Sequence, residues 1–294
     1  MDSICQTLDG YLAAGTTLYG KSMPVFSEKG REHDMIFTIY EPLGVIVAIC
    51  PFNFPLSMFA HKVAPCLVAG NAVIVKPASD TPLSAILLAN LAHQAGVPGK
   101  TLQVITGSGS ELGQWLINDK AVNGVTLTGS TEVGKDIMRM AADHLQHVFL
   151  ELGGNDILMI MDDFELDKAI EEACAGRLRN TGQACNGSKR LLVHNRIRKE
   201  FIDKLVARLK EAKIGDPMQE DVEVGPLVSE KAAITVEHQV LRTIQQGATL
   251  CYGGTRNGAF FTPTVLGDIR PDMDIAKDLE IFGPVFAILG FDTV

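Results

Sequence analysis

A cysteine set among small, flexible residues is the position in this sequence best suited to nucleophilic chemistry. In Asn180-Thr-Gly-Gln-Ala-Cys185-Asn-Gly-Ser188, glycines on both sides leave room for a substrate at the sulfur. Nearby backbone N–H groups can lower the thiol pKa there, although a packing cysteine in a loop has the same local appearance. Glu151-Leu-Gly-Gly154 offers a carboxylate able to act as a general base on water, or else to cap a helix or turn. Gly129-Ser-Thr-Glu-Val-Gly134 follows a β-type run and opens a helix, so its free N–H groups suit a diphosphate. It carries neither the G-x-G-x-x-G spacing nor a Walker lysine, and an ordinary strand-to-helix turn reads the same way. In Pro51-Phe-Asn-Phe-Pro55, the Asn53 amide can donate to a developing oxyanion or bond its own backbone in a rigid turn. Lys76, at the end of another β-type run, either brings a cation to the same cleft or lies on an exposed loop.

These residues must be positioned by a fold that the hydrophobic pattern outlines. Residues 44–50 and 72–75 are short, nearly all-apolar runs, as expected of strands covered on both faces. Residues 102–105 and 124–128 repeat the signal, and helical stretches intervene. Asp80 and Thr81 can cap the helix after the second run, with Pro82 in its first turn and Gly96 and Pro98 closing it. Leu83, Leu87 and Leu91 are the expected buried stripe of that helix. The β-α-β-α order predicts an α/β protein with a parallel, doubly wound sheet that binds ligands beyond the carboxyl ends of its strands. The character changes near residue 148, where a domain boundary is placed. Strands are expected at 148–150, 157–160 and 190–193, helices at 166–180 and 197–212, and a loop at 247–258.

The composition bounds the function classes. The 294 residues, 46% hydrophobic and 21% charged, are those of a globular protein of one large or two ordinary domains. A formal net charge of −9 argues against nucleic-acid or anionic-membrane partners, since neither surface attracts an acidic protein. The six cysteines form no C-x-x-C pair and do not cluster with histidines, so no metal site is expected. No signal peptide or bilayer-length apolar run is visible, and the expected location is the cytoplasm.

Taken together, the motifs resemble those of one family. Pro51-Phe-Asn-Phe-Pro55, Lys76-Pro-Ala-Ser79, Thr128-Gly-Ser-Thr-Glu-Val-Gly134, Glu151-Leu-Gly-Gly154, Gly182-Gln-Ala-Cys185 and Glu280-Ile-Phe-Gly-Pro284 are similar, in order and spacing, to the signature motifs of the NAD(P)-dependent aldehyde dehydrogenase superfamily. The resemblance implies a doubly wound NAD(P)-binding domain at 1–148, with 24–42 forming part of an oligomerisation arm. An α/β catalytic domain follows at 149–294. It implies Cys185 as nucleophile, Asn53 with the Cys185 N–H as oxyanion donors, and Glu151 as the base that activates hydrolytic water. Ile49, Cys50, Pro51 and Phe52 would line the cofactor groove, and Lys76 and Ser79 would meet the adenosine ribose. Gly129, Ser130 and the helix after them would bind the diphosphate, and Gly134 and Leu152 would also belong to the cofactor site. Glu280 would hold the nicotinamide ribose, and Phe282 would pack near the nicotinamide.

Departures from the family pattern sharpen these expectations. NAD-preferring members commonly have Glu where this chain has Ser79, so NADP is expected to serve at least as well as NAD, with the neighbouring Asp80 as the group that could oppose it. The chain reads as a piece lacking both ends of the family's usual length. Its arm segment, with residues 37–40 as a strand, is expected to lack a pairing partner, and a homodimer or homotetramer is implied for the full-length protein. Phe52 and Asn155-Asp156 resemble branches that oxidise small polar aldehydes: lactaldehyde, succinate semialdehyde and glyceraldehyde 3-phosphate. Some semialdehyde members carry Arg in place of His61, which can also be a plain helix-surface histidine. Alternatives are a coenzyme A-acylating dehydrogenase and a non-catalytic protein that keeps the fold.

Overall fold

The alternation of apolar runs and helical segments resolves into two units, Met1–Leu152 and Gly153–Val294. The structure is a computed structural model and describes residues 2–293. The first unit opens with helix α1 (Asp2–Gly15) and two short strands, β1 (Ser22–Met23) and β2 (Ile36–Phe37). These two pair antiparallel, Ser22 with Phe37 and Met23 with Ile36. Of the strand expected over 37–40, only Phe37 lies in a strand, and its ladder with β1 spans two residue pairs, because the flanking residues make no further ladder pairs there.

A parallel sheet follows, built from β3 (Val45–Ile49), β4 (Ala72–Lys76), β5 (Leu102–Val104), β6 (Val122–Thr128) and β7 (His147–Glu151). Its strand order is β5-β4-β3-β6-β7, so the chain starts in the middle and the direction of winding reverses between β3 and β6. Helices α2 (Pro55–Val68), α3 (Pro82–Gln94), α4 (Gly109–Ile117) and α5 (Thr131–Ala142) connect the strands. The side-chain period of two explains why β3 is apolar throughout. Ala48 and Cys50 face a cluster with Phe59 of α2 and Ala85 and Ala89 of α3. Val47 faces the opposite cluster with Ile117 of α4 and Ile137 and Ala141 of α5. β7 pairs with β6 from Gly124–His147 to Thr128–Glu151, which carries the first unit to Leu152 rather than to 148.

Helix α3 corrects the expected stripe. Leu83, Leu87 and Leu91 are 77%, 52% and 45% exposed. The sheet side is made instead by Ala85 and Ala89, with Leu88 and Ala92 beside them, at the i, i+3, i+4, i+7 spacing. Small alanines let the helix lie close to the strands, and the leucine row falls on the other side. Capping differs too. Thr81 is the N-cap residue, but its hydroxyl donates to the Phe52 carbonyl (3.3 Å) instead of capping, so it ties the loop after β3 to the start of α3.

The second unit has a mixed sheet of β8 (Asp156–Ile160), β9 (Ser188–His194), β10 (Thr249–Tyr252), β13 (Thr264–Ile269) and β14 (Val285–Phe291), ordered β10-β13-β14-β9-β8; a small hairpin, β11 (Arg256–Asn257) with β12 (Phe260–Phe261), stands apart. Only β10 runs antiparallel to its neighbour in the larger sheet. Helices α6 (Leu166–Leu178) and α7 (Asn195–Glu211) meet Phe286 and Ile288 on one face, and α8 (Glu230–Gln245) meets Val285 and Ala287 on the other. Strand β10 occupies part of the 247–258 stretch expected to be loop. Its pairing with Leu266 and Gly267 overrides the weak local signal.

One ion pair gives a pH-dependent contribution to stability. Arg208 of α7 grips Glu223 with two bonds, Nη1 to Oε2 at 3.0 Å and Nη2 to Oε1 at 2.5 Å. That hydrogen-bonded partner holds the Glu223 carboxyl below its ordinary value. A depressed carboxylate stabilises the fold above its unfolded pKa, and the contribution disappears as pH falls through the folded one. Glu223→Gln should therefore cost about 0.5–1 kcal/mol at pH 7, the scale of a partly exposed pair. The difference in urea midpoint from wild type should close as pH is taken below the ordinary Glu range near about 4. An undiminished difference in acid would show that the pair is not its source.

Candidate active site

In the first unit, the expected cofactor residues collect at the carboxyl ends of the strands. The order reverses between β3 and β6, and ligands of doubly wound sheets bind at such a switch point. Ile49 ends β3, registered with Lys76 on one side and Leu127 on the other. Cys50, Pro51, Phe52 and Asn53 form the loop that follows, and Pro55 opens α2 in its first turn. Cys50 is buried, and burial pushes its thiol up to about 11. It is a protonated packing residue of the cluster with Phe59 and Ala85.

Lys76 is 4% exposed, and its Nζ donates to the Pro77 carbonyl at 2.8 Å. Burial lowers its pKa. Ser79 is exposed, with its hydroxyl on the Gly107 carbonyl at 3.3 Å. At the end of β6, Gly129 N–H bonds the Glu151 carbonyl (3.0 Å), which links the two strand ends. Ser130 is the N-cap of α5, its Oγ accepting from Val133 N–H at 3.3 Å. The N–H of Gly134 already serves the Ser130 carbonyl. The value of a glycine at 134 is closeness: a Cβ would stand 2.8 Å from Leu152 Cδ2. Glu151, the last residue of β7, is exposed beside Thr128.

Two groups here escaped the sequence reading. Lys62 of α2 lies on the helix's inward side with Phe59 and Val63, and only its place in an apolar pattern marked it. It is 5% exposed and donates to Thr126 Oγ1 at 3.0 Å. Burial lowers its pKa, opposed by the charges of Cys50, Glu151 and Cys66. Thr128 Oγ1, at the switch point, is buried and has no hydrogen-bond partner among the described residues. A buried hydroxyl left in that state is costly. The first N–H groups of α5, at a helix start beyond the end of β6, are of the kind that suits a diphosphate.

In the second unit, Cys185 is half-buried on a loop between α6 and β9. The loop begins with three left-handed residues, Asn180 (φ 49°), Thr181 (φ 55°) and Gly182 (φ 75°). For a β-branched threonine this is strained backbone, kept only because its surroundings over-determine it. Thr181 Oγ1 donates to Gly225 O at 3.2 Å. Gln183 donates to Asn180 O (3.0 Å) and accepts from Val228 N–H (2.8 Å). Gly182 cannot be replaced, since a Cβ would lie 2.2 Å from Gly283 O. Arg177, fully buried, donates to the carbonyls of Gly182 (3.2 Å), Val285 (2.7 Å) and Ile281. It thereby joins the cysteine loop to the Glu280–Pro284 segment. Burial brings its pKa down to about 10, against the charge of Glu280.

Glu280 lies 3.2 Å from the Lys189 ammonium, and Phe282 follows it, half-buried. Asn155 is occupied structurally: its amide donates to Ile275 O (3.0 Å) and Lys277 O (2.8 Å). His61 is exposed on α2, its Nδ1 3.0 Å from the Tyr11 hydroxyl. Among the described residues, no three His, Cys, Asp or Glu side chains form a metal cluster, and no helix is long and apolar enough to cross a membrane.

The "Aldehyde dehydrogenase family" model matches residues 1–294. The chain belongs to the aldehyde dehydrogenase family. The chain is 40% identical over 277 residues to the 3-sulfolactaldehyde dehydrogenase of Priestia megaterium, covering 94% of this chain and 57% of that protein. It is 38% identical over 288 residues to the NADP(+) succinate-semialdehyde dehydrogenase of Escherichia coli, covering 97% and 58%. The NAD+ complex structure of an aldehyde dehydrogenase from Bacillus cereus matches with a TM-score of 0.93 at 37% identity, covering 99% of this chain and 59% of that one. This aldehyde dehydrogenase chain thus spans under two thirds of the length of the relatives it matches.

Proposed function

We propose that this protein oxidises a small polar aldehyde to its carboxylic acid, using NADP or NAD, through a covalent intermediate on Cys185. The observation that carries the reading is the placement of a half-buried thiol on a strained loop clamped by Arg177 and Gln183. A purely structural cysteine needs no such loop. The Cys185 sulfur attacks the aldehyde carbon, and the resulting oxyanion accepts bonds from the Asn53 amide and the Cys185 N–H. A bound nicotinamide supplies a hydride acceptor, by which the thiohemiacetal becomes a thioester. Glu151 takes a proton from water, whose oxygen displaces the thiolate and releases the acid. In balance, aldehyde, water and oxidised cofactor give acid, reduced cofactor and a proton.

The assignments in the first unit are Ile49 to Phe52 for the groove, Lys76 and Ser79 for the adenosine ribose, and Gly129 and Ser130 for the diphosphate. Gly134 and Leu152 support that turn through their close packing. Glu280 and Phe282 are assigned to the nicotinamide end. Relatives named for sulfolactaldehyde and succinate semialdehyde support a polar, acidic substrate. Exposed Phe37, Ile39 and Tyr40 on the arm support homo-oligomer formation.

The reading is tested by mixing the protein with short aldehydes and either cofactor, following reduced-cofactor absorbance and free acid. Acyl-coenzyme A in place of acid, when coenzyme A is added, would assign the acylating reaction instead and remove the role of Glu151. Cofactor choice has its own test. Ser79→Glu places a carboxylate where a 2′-phosphate would lie, and like charges there repel. The ratio of kcat/KM for NADP over NAD should fall about tenfold or more, or about 1.4 kcal/mol. An unchanged ratio would remove Ser79 from the ribose site.

A further inference from the structure

Lysine is among the residues least often fully buried, and a buried ammonium persists only when its hydrogens and charge are matched. Lys189, the second residue of β9, is 3% exposed. Its Nζ donates to Cys185 O at 2.6 Å and to Gly187 O at 3.4 Å, and it forms an ion pair with Glu280 Oε1 at 3.2 Å, so Cys185 O, Gly187 O and the Glu280 carboxylate are its acceptors and counter-charge. The first of these acceptors is the backbone of the residue read as nucleophile. The last is the carboxylate read as the holder of the nicotinamide ribose.

The surroundings leave this group little freedom. Glu280 Oε1 is buried, and apart from its contact with the ammonium it has no hydrogen-bond partner among the described residues. Glu280 Oε2 lies against the backbone of Gly153, where a Cβ would come within 2.1 Å of it. A Cβ at Gly154 would stand 3.0 Å from Cys185 O. The two glycines after Leu152 thus admit the carboxylate on one side and the nucleophile's carbonyl on the other. Burial lowers the Lys189 pKa, and the Glu280 charge opposes that shift.

We propose that Lys189 is a positioning residue that links Glu280 to Cys185, so that a ligand on the carboxylate alters the reactivity of the sulfur. The proposal rests on the reading of Glu280 as a cofactor contact. Hydroxyl groups donating to Glu280 spread its charge over additional partners and weaken its hold on the ammonium. The Lys189 cation then bears more strongly on the Cys185 backbone, and a nearer positive charge favours the thiolate. No bond other than hydrogen bonds is made or broken in this step.

The test measures the rate of Cys185 alkylation by iodoacetamide, read by peptide mass, with and without NADP, alongside NADP binding by calorimetry. In the unmodified protein, NADP should raise the rate about fivefold or more, the scale of an ordinary coupling between two sites. Lys189→Met should bind NADP yet show no rate change, Lys189→Arg should retain the response in part, and Glu280→Gln should lose it. The double variant should behave like either single one. A full response in Lys189→Met or Glu280→Gln overturns the proposal, as does NADP binding to the unmodified protein without any rate change. If Lys189→Met fails to fold, as judged by thermal melting, Glu280→Gln and Lys189→Arg decide the matter. Absence of NADP binding by the unmodified protein would instead overturn the cofactor reading itself.

Discussion

Cys185→Ala should abolish aldehyde oxidation, lowering kcat by about 10⁴-fold or more, the scale seen when an enzyme loses the nucleophile of a covalent mechanism. The proposed oxyanion donors, Asn53 and the 185 N–H, remain in the variant but would have no tetrahedral adduct to hold. The fold should be nearly untouched. Cys185 is half-buried and belongs to neither hydrophobic cluster of its unit, whereas Cys174 lies inside one. Steady-state rates, thermal melting and intact mass after exposure to aldehyde and cofactor check the prediction together. Wild-type protein should show an acyl adduct and the variant none. Substantial turnover by Cys185→Ala would move the chemistry to another residue. Cys50, Cys66 and Cys174 are poor replacements, because burial pushes each of their thiols up to about 11.

Glu151→Gln should separate the two halves of the reaction. In the proposed mechanism acylation depends on Cys185 and Asn53, so the first turnover should still release reduced cofactor. Hydrolysis needs a base, and its loss should slow the second half by about 10²–10⁴-fold. The expected signature is a burst of reduced cofactor of about one equivalent per site, followed by a stalled acyl-enzyme visible by mass. Without a burst, Glu151 would belong to the first half-reaction; an unchanged steady rate would leave it no part in the chemistry. Glu151 stands exposed at the end of β7, so the substitution removes a charge without opening a cavity.

Much of this architecture is legible in the chain because the signals are local. The nearly all-apolar run over 44–50 reads as a strand covered on both faces, and Val45–Ile49 is the central strand of its sheet. Gly129 and Ser130 mark a strand-to-helix turn, and the structure places it at the reversal of strand order. Other features were illegible for physical reasons. In α3, the leucines promised a buried stripe, but the alanines took the sheet side, because the closeness of helix to strands decides which face is used. Strand β10 and the β1–β2 ladder exist through pairing with distant residues, which no window of sequence contains. Lys62 and Lys189 looked like ordinary lysines, since burial of a charge depends on what else packs around it.

The sequence by itself determined the family, the fold class and the identity of the candidate nucleophile, base and oxyanion donor. Motifs carry that information because chemistry demands particular atoms at particular points of the chain. Only the tertiary structure decided how those atoms are held. Arg177 bonds the cysteine loop to Ile281 and Val285, and Lys189 joins the carbonyl of Cys185 to Glu280. The contacts to Ile281, Val285 and Glu280 join residues far apart in the chain, which come together as β9 and β14 pair in one sheet. Their charges then acquire meaning from burial and from partners, neither of which is a property of the residue alone.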